Sequence, residues 1–190
     1  DQGKLSEAEG SFKKAVDLNP NSDNAYLALG GLYRLQDKFS QAEDSFKKAI
    51  AMNPKNGDAY VGLGMLFLDQ DILSQAEASF KKAIEINPSN ANVYLHLGWL
   101  YRFRDELSKA EVSFKKAIEL NSKSDDAFAG LGGVYRLQDK LSRSEASFKK
   151  AIELNPNDAW TYSGRGNVYV TKGNFDQAIL DYTKAIEINP

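Results

Sequence analysis

The sequence contains no cysteine and one histidine among its 190 residues. The absence of cysteine excludes disulfides, thiol nucleophiles and thiolate metal sites. A lone histidine has no second imidazole with which to share a proton or a metal ion, and no G-x-S-x-G or phosphate-loop spacing accompanies it. We therefore expect a protein that is not an enzyme and that carries no cofactor and no metal.

The chain also has no dominant charge sign and no long apolar run. Its 24 basic and 26 acidic residues leave a net charge of −2, which does not favour nucleic acid or an anionic membrane as a partner. No apolar run of about 18 residues and no signal-like start is present, which favours a cytoplasmic location. The chain begins with Asp1 and not with Met, and we interpret it as a fragment of a longer protein.

One short stretch recurs through the chain, and neighbouring copies start 34 residues apart. The copies are Ser6–Pro20, Ser40–Pro54, Ser74–Pro88, Ser108–Ser122 and Ser142–Pro156, followed by a looser one at Asp176–Pro190. All five prolines of the chain fall at the end of a copy. A fixed period of this length indicates an elongated array whose units pack on their neighbours.

The first half of each period predicts a helix. In the period 23–56, apolar residues from Tyr26 to Tyr33 recur at spacings of three and four, and Ser22 precedes them as an N-cap. Asp37 stands where a left-handed residue is expected to end this helix. The equivalent N-caps are Asn56, Asn90, Ser124 and Asp158, and the equivalent turn residues are Asp71, Asp105, Asp139 and Gly173.

The second half of each period predicts another helix. Ser40 and Glu43 have the S-x-x-E spacing of a capping box, in which each side chain accepts from the other residue's backbone N–H. Pro54 ends the helix because proline lacks the N–H that a helix interior needs. The same box is expected at Ser6/Glu9, Ser74/Glu77, Ser108/Glu111 and Ser142/Glu145. Each period is thus a helix–turn–helix.

This pattern resembles the tetratricopeptide repeat (TPR) family along the whole chain. In the first full repeat the family positions hold Tyr26, Leu29, Gly30, Tyr33, Ala42, Phe46, Ala49 and Pro54. The chain departs from the pattern at Ser122 for proline, Ser144 for alanine and Arg165 for leucine. We expect Gly30 and Ala42 to face each other where the two helices cross, with Tyr33 and Phe46 beside that contact.

The resemblance implies an all-α fold, a right-handed α-solenoid or superhelix of helix–turn–helix units. The expected limits are a half repeat at 1–22 and full repeats at 23–56, 57–90, 91–124, 125–158 and 159–190. The resemblance also implies a scaffold for protein–protein interaction that binds an extended peptide or a partner helix in a concave groove lined by the first helices. The alternative is a targeting arm of a larger multidomain enzyme whose catalytic domain lies elsewhere. The lysine and asparagine clamp for chaperone tails is missing from the groove positions.

Variation among the first helices predicts where a partner binds. Small residues dominate two groove columns in most repeats, which is expected to leave room and to expose backbone, whereas the repeat 91–124 carries bulky side chains there. We predict a protein- or peptide-binding site centred on Trp99. Its members are Arg34, Met65, His96, Trp99, Arg102, Phe103, Arg136 and Trp160. The alternative is that Trp99 and Phe103 fill space between first helices and that the arginines are solvated.

Two further expectations concern the chain as a whole. The segments Leu29–Lys38 and Leu131–Lys140 are nearly identical and suggest that a three-repeat block was duplicated, which would place Arg34 and Arg136 in equivalent settings. The first and last helices both carry apolar residues that a neighbouring helix would normally cover. We therefore predict self-association through these terminal helices.

Overall fold

The computed structural model describes the backbone of residues 2–190 and the side chains of residue 5 and residues 7–190. In this part of the chain there are eleven α-helices and no strand. They are α1 (Gln2–Leu18), α2 (Asp23–Leu35), α3 (Phe39–Met52), α4 (Gly57–Asp69), α5 (Leu73–Ile86), α6 (Ala91–Phe103), α7 (Leu107–Leu120), α8 (Asp125–Leu137), α9 (Leu141–Leu154), α10 (Ala159–Thr171) and α11 (Phe175–Ile188). The all-α fold is confirmed.

The helices form two compact units, Asp1–Ser89 and Asn90–Pro190. In unit 1, which holds α1 to α5, neighbouring helices in the chain pack on each other, and α2 also packs on α4. Unit 2 repeats this arrangement from α6 to α11, with α8 packed on both α6 and α10. Each unit therefore has the solenoid-like packing of consecutive helix pairs that the sequence predicts. The repeat limits within the array stay a prediction.

The first helix of each pair begins and ends as predicted. The side chains of Ser22, Asn56, Asn90, Ser124 and Asp158 each accept a hydrogen bond from a backbone N–H of the first turn. After these helices, the turn residues Asp37, Asp71, Asp105, Asp139 and Gly173 have positive φ angles between 56° and 75°. The aspartates accept this backbone because a short polar side chain tolerates the left-handed region better than most.

In three of the second helices, α3, α7 and α9, a buried phenylalanine lies between glycines of two first helices. The Phe46 side chain is 1% exposed, and a Cβ atom would lie 2.7 Å from its ring at Gly30 and 2.4 Å at Gly62. Gly98 and Gly130 enclose Phe114 in the same way, and Gly132 and Gly164 enclose Phe148. The expectation that glycines of the groove columns leave room is therefore wrong at Gly62, Gly130 and Gly164, because phenylalanine rings fill that room.

The contact predicted between Gly30 and Ala42 is visible in its equivalent in unit 2. Ser144 stands at the alanine position of the repeat, and its Oγ donates a hydrogen bond of 2.7 Å to the carbonyl of Gly132. Ser144 is fully buried, so this bond satisfies a hydroxyl that would otherwise be costly. The departure from alanine is thus compensated locally.

The capping box predicted for the second helices is wrong. These helices begin one residue before the serine, at Phe39, Leu73, Leu107 and Leu141, and the residue before each start makes no side-chain cap. The box expected at Ser6 lies outside the described side chains. The glutamate that recurs at this position of the repeats instead binds lysine side chains. Glu111 pairs with Lys115 at 2.6 Å and with Lys140 of the next pair at 3.1 Å.

The same glutamate position links neighbouring helix pairs inside each unit. Glu9 pairs with Lys13 and with Lys38, and Glu145 binds Lys172 and accepts from the Tyr169 hydroxyl. Burial would raise the pKa of Glu111, but hydrogen bonds from Lys115 and Lys140 lower it to about 2. These glutamates therefore stay ionised and hold successive pairs together.

Candidate functional site

Unit 2 has a depression on the face formed by its first helices α6, α8 and α10. Its volume is about 470 Å³, and its lining residues are Leu95, His96, Trp99, Arg102, Asp126, Asp158 and Trp160. Both tryptophans of the chain lie in this lining. We call it the tryptophan depression. Four of the eight predicted site residues, His96, Trp99, Arg102 and Trp160, meet here.

The two tryptophans form an edge-to-face pair that rests on the core of unit 2. Their ring centroids are 5.5 Å apart, at an interplanar angle of 71°. Trp99 stands edge-on to buried Phe114 at 5.1 Å, and Trp160 stands edge-on to buried Phe148 at 6.2 Å. Trp160 nevertheless stays 44% exposed. The pair is thus held in place from below and presents apolar surface to solvent.

Arg102 stands at one side of this pair. The ζ carbon of its guanidinium lies 5.4 Å from the Trp99 ring centroid, within the range of a cation–π contact. Its Nε is buried and has no hydrogen-bond partner in the structure as described. Burial, and after it the positive charge of Arg136, lowers the pKa of Arg102. The guanidinium is therefore partly desolvated and is not neutralised by a carboxylate.

Two aspartates at the N-terminal ends of α8 and α10, Asp126 and Asp158, also line the depression. Asp158 caps α10, where its carboxylate accepts from the backbone N–H groups of Trp160 and Thr161 at 3.1 and 3.2 Å and from the Thr161 hydroxyl. Burial raises the pKa of Asp126, and the charges of Asp125 and Asp158 raise it further. The lining thus carries a positive charge from the last turn of α6 and negative charges from the N-terminal ends of α8 and α10.

The sequence prediction missed Leu95, Asp126 and Asp158 as members of this lining. Asp126 and Leu95 occupy groove columns of the repeat, so the column position was the available signal. The sequence predicts Asp158 only as an N-cap, although the residue also lines the depression together with Trp160. A residue that caps one helix can line the face of its neighbour because first helices pack side by side.

The other predicted site residues lie elsewhere. Arg34 and Met65 belong to unit 1, where Arg34 donates a hydrogen bond of 2.8 Å to Asp69 and Met65 is half-buried in α4. Phe103 ends α6 with 70% of its surface exposed and does not line the depression. Arg136 lies near Arg102, beyond the lining residues. Because Arg34 has a carboxylate partner, its setting differs from that of Arg136, so the expectation of equivalent settings is wrong, while the duplication itself stays a hypothesis.

Residues 2–190, as the structure describes them, hold neither a metal-ligand cluster nor a membrane-spanning helix. No group of three or more histidine, cysteine, aspartate or glutamate side chains in this part of the chain is placed to hold a metal ion. None of its helices combines the length and the apolar character that crossing a bilayer requires.

Comparison with protein-family models places the repeats in a known family. Four models described as tetratricopeptide or TPR repeats match residues 33–91, 79–112, 132–173 and 159–190. The chain belongs to the tetratricopeptide repeat family. Members of the TPR family are typically protein-interaction scaffolds without catalytic activity, and they generally bind protein or peptide partners.

Solved structures of other TPR proteins are similar to this TPR chain. A tetratricopeptide repeat protein from Parabacteroides merdae is 26% identical, with a TM-score of 0.80, over 100% of this chain and 75% of that one. MamA is 28% identical with a TM-score of 0.74, over 87% and 91%. YrrB, described as a TPR protein with an unusual peptide-binding site, is 23% identical with a TM-score of 0.73, over 96% and 94%. The comparison with curated protein sequences finds no match.

Proposed function

We propose that this TPR chain is a binding scaffold whose tryptophan depression takes up an extended peptide or a helix of a protein partner. The observation that carries the proposal is the Trp99–Trp160 pair. Both rings are anchored on buried phenylalanines, yet they form the floor of an open depression. Rigid, partly exposed tryptophans supply large contact area at low entropic cost, and such residues dominate the binding energy of many interfaces.

The polarity of the depression supports a peptide as the ligand. Arg102 and Asp126 in the lining offer opposite charges beside an apolar floor, which suits a segment with polar groups beside an apolar side chain. The similar fold of YrrB, whose description names a peptide-binding site, agrees with this ligand class. Both helical and extended segments fit this chemistry, and the test below accepts either.

The two tryptophans make the proposal testable by fluorescence. Peptides selected from a displayed library on the immobilised chain are titrated against it, and tryptophan emission is followed. Since both tryptophans of the chain line the depression, a ligand seated there is expected to change the emission. Replacing Trp160 by alanine should weaken binding about tenfold or more, the usual effect of removing an aromatic anchor.

Phe103→Ala is the matched control, because Phe103 is an exposed aromatic residue of α6 outside the depression. It should leave affinity unchanged. Binding that leaves the emission unaltered and survives both Trp99→Phe and Trp160→Ala would show that the partner binds elsewhere.

A further inference from the structure

Unit 1 shows how this chain neutralises an arginine at the end of a first helix. Arg34 lies in the last turn of α2, and its Nη1 is 2.8 Å from Oδ2 of Asp69, the last residue of α4. The two residues are 35 positions apart, so each reaches the other across neighbouring first helices. Asp69 therefore occupies the space where another carboxylate would bind Arg34.

Unit 2 has the same arginine position twice and lacks the carboxylate both times. Arg102 and Arg136 are the equivalents of Arg34 in α6 and α8, and the positions that correspond to Asp69 hold Leu137 and Thr171. Within the described residues, neither arginine has an ion-pair partner. Burial and the charge of Arg136 both lower the pKa of Arg102. Two guanidinium groups without a carboxylate partner are therefore close enough to repel each other.

The Arg102 side chain is held in position before any ligand arrives. Its guanidinium stacks on the Trp99 ring at 5.4 Å. On another side, a Cβ atom at Gly133 would lie 3.4 Å from Nε, so the glycine gives the side chain room to lie close to α8. An arginine fixed in this way loses little entropy when it binds a carboxylate.

We propose that Arg102 and Arg136 together bind the carboxylate of a glutamate or aspartate side chain in the partner peptide. This inference rests on the proposed function, because the peptide must lie in the tryptophan depression. Charge complementarity favours this occupant, since a carboxylate would relieve the repulsion between two guanidinium groups. An acidic side chain is favoured over a chain terminus because the last turns of α8 and α10 also carry exposed apolar residues, Leu137 and Val170, which further residues of the peptide can cover.

The test supplies unit 2 with the carboxylate that unit 1 already has. Leu137→Asp places an aspartate 35 positions after Arg102, as Asp69 stands after Arg34. Leu137 is 45% exposed, so the substitution should leave the fold intact, which circular dichroism verifies. The probes are peptides with blocked ends that carry glutamate at one central position among mixed leucine, tyrosine and alanine. The same peptides with glutamine at that position are the comparison, and tryptophan emission reports binding.

We expect the wild-type chain to bind the glutamate peptides about tenfold more tightly than the glutamine peptides at low salt, as a charge-assisted hydrogen bond implies. Leu137→Asp and Arg102→Gln should each abolish that preference, whereas Arg34→Gln, the matched control in unit 1, should keep it. Equal affinity for both sets would overturn the carboxylate site and leave the peptide-binding proposal standing.

Two other results would also overturn the inference. If neither set binds, the proposed function fails together with it. If glutamine peptides with a free C-terminus bind as tightly as blocked glutamate peptides, the arginines bind a chain terminus and not an acidic side chain.

Discussion

At the residue scale, two glycines in helices of unit 1 differ in whether a side chain packs against them. Gly62 allows α4 to approach the ring of Phe46, and a Cβ atom there would lie 2.4 Å from that ring. A Cβ atom added at Gly31 in α2 would have no neighbouring atom within 4 Å. Both glycines lie inside helices of unit 1, so they weaken the helix by similar amounts. Their packing alone distinguishes them.

This contrast predicts opposite effects for the same substitution. Gly62→Ala should lower the free energy of unfolding by about 1–2 kcal/mol, because the methyl group forces a ring held between two helices to move. Gly31→Ala should raise it by up to about 1 kcal/mol through helix propensity. Chemical denaturation followed by far-UV circular dichroism measures both. Equal effects of the two substitutions would contradict the packing of Phe46 described above.

At the element scale, the last helix pair has an ion pair at positions where the preceding pair holds a leucine and a serine. Arg165 stands at the leucine position of the repeat and binds Asp181 through two hydrogen bonds of 2.7 and 2.8 Å. Asp181 is 5% exposed, and the preceding pair holds Leu131 and Ser147 at these positions. Arg165 therefore departs from the family pattern together with Asp181, its partner on α11.

Replacing one residue of this ion pair should lower the free energy of unfolding more than replacing both. Asp181→Ser leaves a largely buried guanidinium without its carboxylate, and we expect a loss of about 2–3 kcal/mol, below the usual range because Arg165 also contacts Tyr162 and Tyr169. Adding Arg165→Leu restores the combination of the preceding pair and should recover most of that loss. Thermal and chemical unfolding of both variants measure this coupling. A double variant as unstable as the single one would refute it.

At the scale of the whole molecule, the sequence predicts the caps and turns of the first helices, whereas it does not predict the contacts between helix pairs. The turn at Asp37 and the cap at Ser22 depend on their own few residues, so the sequence predicts them correctly. The partner of Arg34 lies 35 residues away and depends on how α2 and α4 align. Trp99 and Trp160 are in contact although 61 positions separate them in the sequence. The groove columns suggested this contact only because both residues belong to first helices.

The outer face of α11 leads to a prediction about association. Phe175 and Ile186 are 62% and 66% exposed, whereas their equivalents in α9, Leu141 and Ile152, are half-buried in a unit where α10 packs on α9. Among the described residues, no helix covers α11 in that way. Exposed apolar faces of this kind favour association. We therefore predict that copies of the chain associate through this face of α11.

We expect sedimentation equilibrium to show association that grows with concentration and that Ile186→Glu weakens, because a charge on the contact face resists desolvation. Leu35→Glu is the matched control, since Leu35 is also 66% exposed but belongs to α2 of unit 1 and not to α11. If the wild-type chain stays monomeric at the highest concentration, the face of α11 does not drive association. If Leu35→Glu weakens association as much as Ile186→Glu does, the added charge acts through general repulsion and not at α11.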